Sequence, residues 1–269
     1  MLALMGPIAA SGDGYGFEAP SISEFFPGGL LFEGTIFEMS RITLIGVLMA
    51  GLLSLFFVVA FRKNDRLIPR GAQNFGELAI DVVDKAVILE VMGQKGRKYA
   101  PYLISMFFLL LMFNITGVLP LMHISVTSVI GVPAMFAVIA WVVFNVEGVR
   151  ALGIGKYLKV NLFPPGIPWP IYFLVTPIEF ISTFILRPVT LTIRLLANMM
   201  AGHLLLVLFF SATSYFLLET SGLMKLFAIP SYAMGFAFTL FEILVAVLQA
   251  YIFTLLTAVY IDGAISAEH

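Results

Sequence analysis

Cysteine is absent from this 269-residue chain, which excludes disulfides, thiolate-held metals and cysteine nucleophiles. Histidine occurs three times, as His123, His203 and His269, with no two at a ligand spacing, so neither a metal nor a cofactor is expected. Charge is scarce: 12% of residues carry it, against about 25% in soluble proteins. Lys+Arg 15 nearly balance Asp+Glu 16, which leaves no bulk charge to draw a nucleic acid. The stretch from Met1 to Gly12 has no basic start and is not expected to be a cleaved signal peptide. No internal repeat is present, so an inverted-repeat transporter finds no support. What the chain has is apolar mass: 60% hydrophobic residues, 26 Phe and a mean hydropathy of +1.02. These point to an all-α polytopic membrane protein.

Apolar stretches able to span about 30 Å of hydrocarbon, roughly 20 helical residues, run over 42–61, 101–121 and 126–146. Two longer ones follow at 170–217 and 226–261, which as helices would measure about 72 and about 54 Å at about 1.5 Å per residue. Each is either one strongly tilted helix or a re-entrant pair. Tilt is preferred, because neither has a Gly-Pro-Asn turn cluster at its middle. The expectation is five crossings in a single membrane domain, 42–269, behind an external N-terminal tail, 1–41.

Charge position orients this arrangement. Eight basic residues fall between Arg62 and Lys98, and Arg150, Lys156 and Lys159 lie between Glu147 and Trp169, so the positive-inside rule puts both segments in the cytoplasm. The N-terminus is then outside and, after five crossings, the C-terminus is cytoplasmic; a hairpin within the fourth stretch would reverse the latter. Within the first cytoplasmic segment, over about 73–90, Phe75, Leu78, Ala79, Val82, Val83, Ala86 and Val87 recur at helical spacing opposite Glu77, Asp81, Asp84 and Lys85. That pattern is an amphipathic surface helix. It serves either as an interfacial anchor or, since its acidic face suits an anionic leaflet poorly, as a docking face for a partner protein. The run Phe163, Pro164, Pro165, Gly166, Ile167, Pro168, Trp169, Pro170 is expected to be a non-helical linker with an interfacial tryptophan.

The informative residues are ionisable groups at membrane depth: Arg187, Arg194 and His203 on the fourth stretch and Glu242 on the fifth. An arginine near the bilayer centre costs about 2.5 to 3.5 kcal/mol on insertion scales, so it faces a bundle, a partner or water rather than lipid. Arg187, near the cytoplasmic end, reads as an anchor or structural pair. Arg194 is deeper, and its alternatives are an internal ion pair with Glu242 or a functional role. At about 100° per residue Thr190, Arg194 and Asn198 share one helix face, whereas His203, nine residues past Arg194, points the other way. Gly235, Glu242 and Gln249, seven apart, form a polar stripe on the last helix; Gln249 alone is compatible with interhelical hydrogen bonding. Histidine titrates near neutrality, and burial in general favours the protonated form of a carboxylic acid, so His203 and Glu242 suit a proton relay. Arginine keeps its proton and serves as a fixed charge instead.

These residues resemble subunit a of the F-type ATP synthase. The strings that carry the resemblance are "NDRLIPRGAQNFGE" from Asn64, "FNITGVLP" from Phe113, "RPVTLTIRLLANMMAGH" from Arg187 and "LQAYIFTLLTAVYI" from Leu248, together spanning most of the chain after Arg62. The resemblance implies a stator subunit with no chemistry of its own, which forms two offset half-channels serving the c-ring carboxylates and couples proton flow to rotation and ATP synthesis. It implies Arg194 as the essential ring-facing charge, Asn198 as its polar companion and Gln249 as the supporting glutamine of the last helix. In one bacterial branch the acid follows the arginine by nine and the histidine lies on the last helix; here His203 and Glu242 stand in exchanged order, as in mitochondrial and some other bacterial members. The implied entry path uses His203 and Glu242, with Asn114 and His123 as outer candidates, although Asn114 equally suits a bridge between helices and His123 a solvated loop. The exit path would use Glu179, Ser182 and Thr190. Implied partners are the c-subunit ring, b-type peripheral stalk subunits, other ATP synthase subunits and the lipid bilayer. The implied location is a bacterial plasma (inner) membrane or a bioenergetic organelle membrane.

Two readings from other classes compete. A secondary transporter could bind a substrate carboxylate at Arg194, but no pair of Gly/Pro-broken helices accompanies it. An intramembrane enzyme would need a Ser/His, Asp/Asp or His-rich constellation, which the sequence lacks.

Overall fold

A computed structural model describes residues 29–31, 39–61, 72–119, 122, 124–163 and 169–266. His123, Pro164 to Pro168, the basic residues Arg62, Lys63, Arg66 and Arg70, most of the N-terminal tail and His269 lie outside the described residues. The described part is helical apart from a small antiparallel ribbon, β1 (Gly29–Leu31) against β2 (Met39–Ser40).

Helix α1 (Arg41–Phe61) follows the ribbon without a break. Its mean composition is apolar all round, and only one side is covered: Ile42, Ile45 and Met49 are buried, while Val47, Leu52, Leu55 and Val58 stay exposed. A helix apolar on every face is a membrane span, since its outer side meets lipid as readily as protein. The surface helix begins as α2 (Ala72–Val83), continues through a π-helical turn (Asp84–Leu89), the short α3 (Glu90–Met92) and a 3-10 segment (Gly93–Lys98). The single expected apolar face is divided there: Val83, Val87 and Ile88 enter the core, whereas Leu78 and Val82 remain exposed. The division already falls within α2, between Val82 and Val83, because only one edge of the apolar face meets the rest of the bundle.

Helix α4 (Ala100–Ile115) stops six residues short of the expected end at Leu121. The Thr116 hydroxyl donates to the Phe113 carbonyl (2.6 Å) and accepts from the Val126 N–H (3.0 Å). The chain thus leaves the helix to build a turn instead of continuing the ladder. A 3-10 turn (Val126–Ser128) then leads into α5 (Gly131–Leu152), which ends at Gly153 with φ +77°, a conformation glycine adopts without a Cβ penalty. The following helix, α6 (Ile154–Leu162), is not anticipated by the sequence reading; it folds back so that the Tyr157 ring lies over Gly148.

The overlong stretches are continuous helices. A 50-residue rod, Trp169–Leu218, comprises a 3-10 turn, α7 (Tyr172–Ile181), a π turn (Ser182–Leu186) and α8 (Arg187–Leu218). The π turn lies directly before Pro188, which has no N–H to return to the preceding turn; the Arg187 N–H reaches the Ser182 carbonyl instead. The second rod, Gly222–Ile265, opens with a 3-10 turn and continues as α9 (Ala228–Ile265). At about 1.5 Å per residue the rods measure about 75 and 66 Å, far more than a bilayer, and must cross it steeply tilted. With α1 and α5 they make four helices, among the described residues, long and apolar enough to cross a membrane; α4 is a shorter apolar helix.

Helices α8 and α9 pack as an antiparallel pair, with α4 against α9 and α5 in the groove between α8 and α9. The interfaces are lined by small residues, Ala137, Ala140, Ala246, Ala250 and Ala258, all completely buried. Between membrane helices there is no hydrophobic drive to associate, and small residues let backbones approach closely enough for dispersion to hold them.

Candidate functional site

The register between α8 and α9 can be followed from three contacts. A Cβ on Gly235 would lie 3.3 to 3.4 Å from the Phe209 and Phe210 side chains, and one on Gly202 would lie 3.0 Å from Glu242 Oε1. Further along, the Arg187 guanidinium stands 5.0 Å from the Tyr260 ring centre. In each case the paired numbers sum to nearly the same value, so the two helices stay in step over six turns, and Gln249 comes level with Leu195, beside Arg194. Gly235, Glu242 and Gln249 are all buried, one stripe turned into the bundle. A seven-residue spacing suits helices that cross at a shallow left-handed angle.

Glu242 is 3% exposed, and neither carboxyl oxygen has a hydrogen-bond partner among the described residues. His203, 4% exposed, follows Gly202 on the facing helix. A polar cluster from the α4–α5 connection closes this end. Asn114, fully buried, donates from Nδ2 to the Ala246 carbonyl (3.2 Å) and accepts at Oδ1 from the Thr127 hydroxyl (2.7 Å). The Thr127 hydroxyl lies 2.8 Å from that of Ser125, which also donates to the Phe113 carbonyl (3.1 Å). Asn114 therefore bridges α4, the connection and α9. Gly117 belongs to the same turn, and a Cβ there would lie 3.4 Å from Glu242 Oε1.

The two membrane arginines are treated differently by the fold. Arg187 is half-buried and stacks over Phe144 (5.8 Å) as well as Tyr260, where α5, α8 and α9 converge. Arg194 lies midway along the Trp169–Leu218 rod, is exposed, and makes no hydrogen bond or ion pair with any described residue. Among the described residues the ion pairs are Lys85–Asp81, Lys98–Glu147 and Arg150–Glu147, so Arg194 has no internal salt bridge to Glu242. Around it the surface is apolar, with Val189, Ile193, Leu244 and Leu248 exposed. Thr190, on its face, is exposed and donates its hydroxyl to the Leu186 carbonyl (2.7 Å); Asn198 is half-buried, as are Glu179 and Ser182 earlier on the same rod.

The Glu242 cluster and the Lys98–Glu147 cluster lie at opposite ends of α4 and α5. Glu147 accepts from Lys98 Nζ (2.7 Å), the Tyr99 hydroxyl (2.7 Å) and Arg150 (2.9 Å). The bond to that carboxylate is the main reason the exposed Lys98 ammonium is held above the usual lysine range, so it remains charged throughout neutral pH. A surface groove of about 620 Å³ lies near this end, bounded by Phe61, Asn74, Glu77, Asp81, Asp84 and Arg97, and contains none of the candidate membrane-depth residues. Along the α8 axis Gly202, level with Glu242, stands eight residues or about 12 Å from Arg194. Among the described residues no three His, Asp or Glu side chains form a metal cluster.

Sequence reasoning missed Gly117, Gly202, Ser125 and Thr127. Glycines in membrane helices signal close approach, but nothing in a linear pattern says that a carboxyl is what approaches.

Residues 43–262 match the family model of the ATP synthase A chain. The ATP synthase subunit a of Rhodococcus erythropolis is 48% identical over 253 residues, 94% of this chain and 92% of its own length. That of a Parafrankia species is 44% identical over 214 residues, 79% of this chain and 71% of its own. That of Pseudarthrobacter chlorophenolicus is 37% identical over 269 residues, 100% of this chain and 99% of its own.

Proposed function

This chain belongs to the family of ATP synthase a subunits, and on that premise we propose that it forms the two offset proton half-channels serving a ring of carboxylate-bearing c subunits. As a member it is a multi-pass membrane protein of proton-driven ATP synthesis and works with other ATP synthase subunits. The observation that carries the proposal is Arg194: a guanidinium halfway along a membrane-crossing rod, exposed on an apolar surface and without an acid from its own described residues. Such a charge is too costly to leave to lipid, so its counter-charge comes from another chain. A carboxylate that passes by and moves on fits a fixed cation that never yields its proton.

In this mechanism a proton enters from outside, passes Glu242 and His203 and neutralises a ring carboxylate, which then rotates into lipid because a neutral acid costs far less there than an ion. After nearly a full turn the acid meets the cytoplasmic half-channel, for which Glu179, Ser182 and Thr190 are the polar groups available. It loses its proton because the nearby Arg194 favours the charged form. Asn198 and Gln249 support the arginine, and Asn114, already committed to Thr127 and Ala246, acts as scaffold. The axial offset of about 12 Å between Glu242 and Arg194 supports an entry path separated from the arginine, which blocks protons running straight through.

Because the chain contains no cysteine, a single introduced one is unique. Ile193→Cys, on the exposed surface beside Arg194, should form a disulfide with a cysteine introduced next to the ring carboxylate, while Thr213→Cys, buried higher on α8, should not. Failure of Ile193→Cys to couple with any ring position would overturn the assignment.

We infer further that the membrane is the bacterial plasma membrane, with the N-terminal tail outside, the C-terminus cytoplasmic, and a b-type stalk on the cytoplasmic side. The Lys98, Arg150 and Glu147 cluster agrees with a positively charged inner end. A tag after His269 should be protected in intact cells and accessible in inverted vesicles; labelling from outside would reverse the topology.

A further inference from the structure

No proton-carrying candidate lies on α6 (Ile154–Leu162), yet the faces of this helix differ in character. Tyr157 fixes it to the bundle. A Cβ on Gly148 of α5 would collide with the Tyr157 ring and lie 3.1 Å from Ala264 Cβ, and the Tyr157 hydroxyl donates to Asn145 Oδ1 (2.9 Å). At the other end Thr176 of α7 donates its hydroxyl to the Leu162 carbonyl (3.2 Å), and the Phe163 and Tyr172 rings meet at 5.6 Å. Held at both ends, α6 cannot turn to hide what it exposes. To one side of Tyr157, Ile154 and Leu158, four residues apart, form an apolar stripe, 66% and 40% exposed. To the other side lie Lys156 and Lys159, both exposed and about 60° apart around the axis. Lys159 makes no hydrogen bond or ion pair with any described residue.

The charge here has one sign: between Glu147 and Glu179 the sequence has Arg150, Lys156 and Lys159 and no acid. Helix α2 is the reverse, with Glu77, Asp81 and Asp84 marking the polar side of the other surface helix. Beside the end of α6, Trp169 opens the long rod and is 87% exposed. A tryptophan at the start of a membrane crossing marks the headgroup level, and an apolar stripe next to a basic one suits a helix lying at an anionic lipid surface.

We propose that α6 lies in the plane of the cytoplasmic leaflet and binds the phosphates of anionic lipids, with Ile154 and Leu158 at the acyl boundary and Lys156 and Lys159 on the headgroups. This rests on the segment being cytoplasmic. Charge complementarity selects this occupant: the leaflet supplies negative charge at the level of Trp169, and no acid of the segment itself competes for the lysines.

The test uses the whole assembled complex in phosphatidylcholine vesicles. A fluorophore on Leu158→Cys, with the complex of the parental chain treated alike as the blank, is challenged with phosphatidylglycerol or phosphatidylcholine brominated high on the acyl chain. Both lipids should quench it, the anionic one with an apparent affinity at least about five-fold greater, the gain for one lysine near an anionic surface. Lys156→Gln together with Lys159→Gln should bring that preference to within about two-fold of parity, whereas Lys95→Gln, which removes an exposed cation on the 3-10 segment after α3, should leave it unchanged. Absence of quenching by either lipid, as when another subunit covers α6, overturns the proposal. So does equal quenching by the two lipids, or an equal loss with Lys95→Gln. If a tag after His269 is labelled from outside, the cytoplasmic assignment fails first; if the tag is protected and the lipid preference is missing, only the lipid site is lost.

Discussion

Arg194→Ala should abolish proton-driven ATP synthesis while leaving the complex assembled. Two unit charges 4 Å apart interact by about 4 kcal/mol at an effective dielectric of about 20, and at about 1.4 kcal/mol per decade that is a loss of roughly three orders of magnitude. Assembly survives because the fold does not use this side chain: it is exposed and binds no described residue. With the fixed charge gone, a passive proton leak between the proposed half-channels is expected. Arg194→Lys retains charge but not the planar fork that grips a carboxylate, and should recover only part of the activity. Arg187→Ala is the contrast. That guanidinium is held over Phe144 and Tyr260, and cation–π contacts contribute about 0.5 to 2 kcal/mol, so its loss lowers the amount of assembled complex while synthesis per complex persists. Synthesis rates, leak rates and complex yield in the same vesicles separate the two arginines. Coupled synthesis by Arg194→Ala refutes the assignment.

Glu242→Gln should lower proton pumping by about a hundred-fold, the lower range for losing a positioned acid–base group. The amide is nearly isosteric and fits between Gly117 and Gly202, so the loss reflects proton carrying and not packing. The decisive combination is Arg194→Ala with Glu242→Gln. If Glu242 lies on the entry path, the leak opened by the first change is closed by the second. A leak of undiminished rate in the double variant would mean that protons enter by another route.

Much of the architecture is legible in the chain because lipid imposes simple rules. Backbone groups must be satisfied internally, so each apolar stretch becomes a helix, and the lengths of 170–217 and 226–261, together with the lack of a turn cluster at their middles, favour steep tilt over a re-entrant pair. The errors have local causes. Helix α4 ends at Ile115 because the Thr116 hydroxyl and Gly117 favour a turn, a choice invisible to a hydropathy pattern. The face of the surface helix divides within α2, where Val83 is covered by the bundle and its neighbour Val82 is not. Helix α6 was missed because its nine residues show too few periods to register.

For the site, the division is between one helix and two. Helical periodicity is enough to set Arg194 and His203 on different faces, and to align Glu242 with Gln249, because about 100° per residue is a property of the backbone alone. The absence of cysteine, the scarcity of charge and the basic segments likewise needed no coordinates. Only the tertiary structure decided that Arg187 is held over two aromatic rings while Arg194 stays exposed and bound to no described residue, and that Glu242 lies between Gly117 and Gly202. Those facts depend on the register between helices far apart in sequence. That register is set by which small side chains let two backbones approach, and no period along a single strand of sequence encodes it.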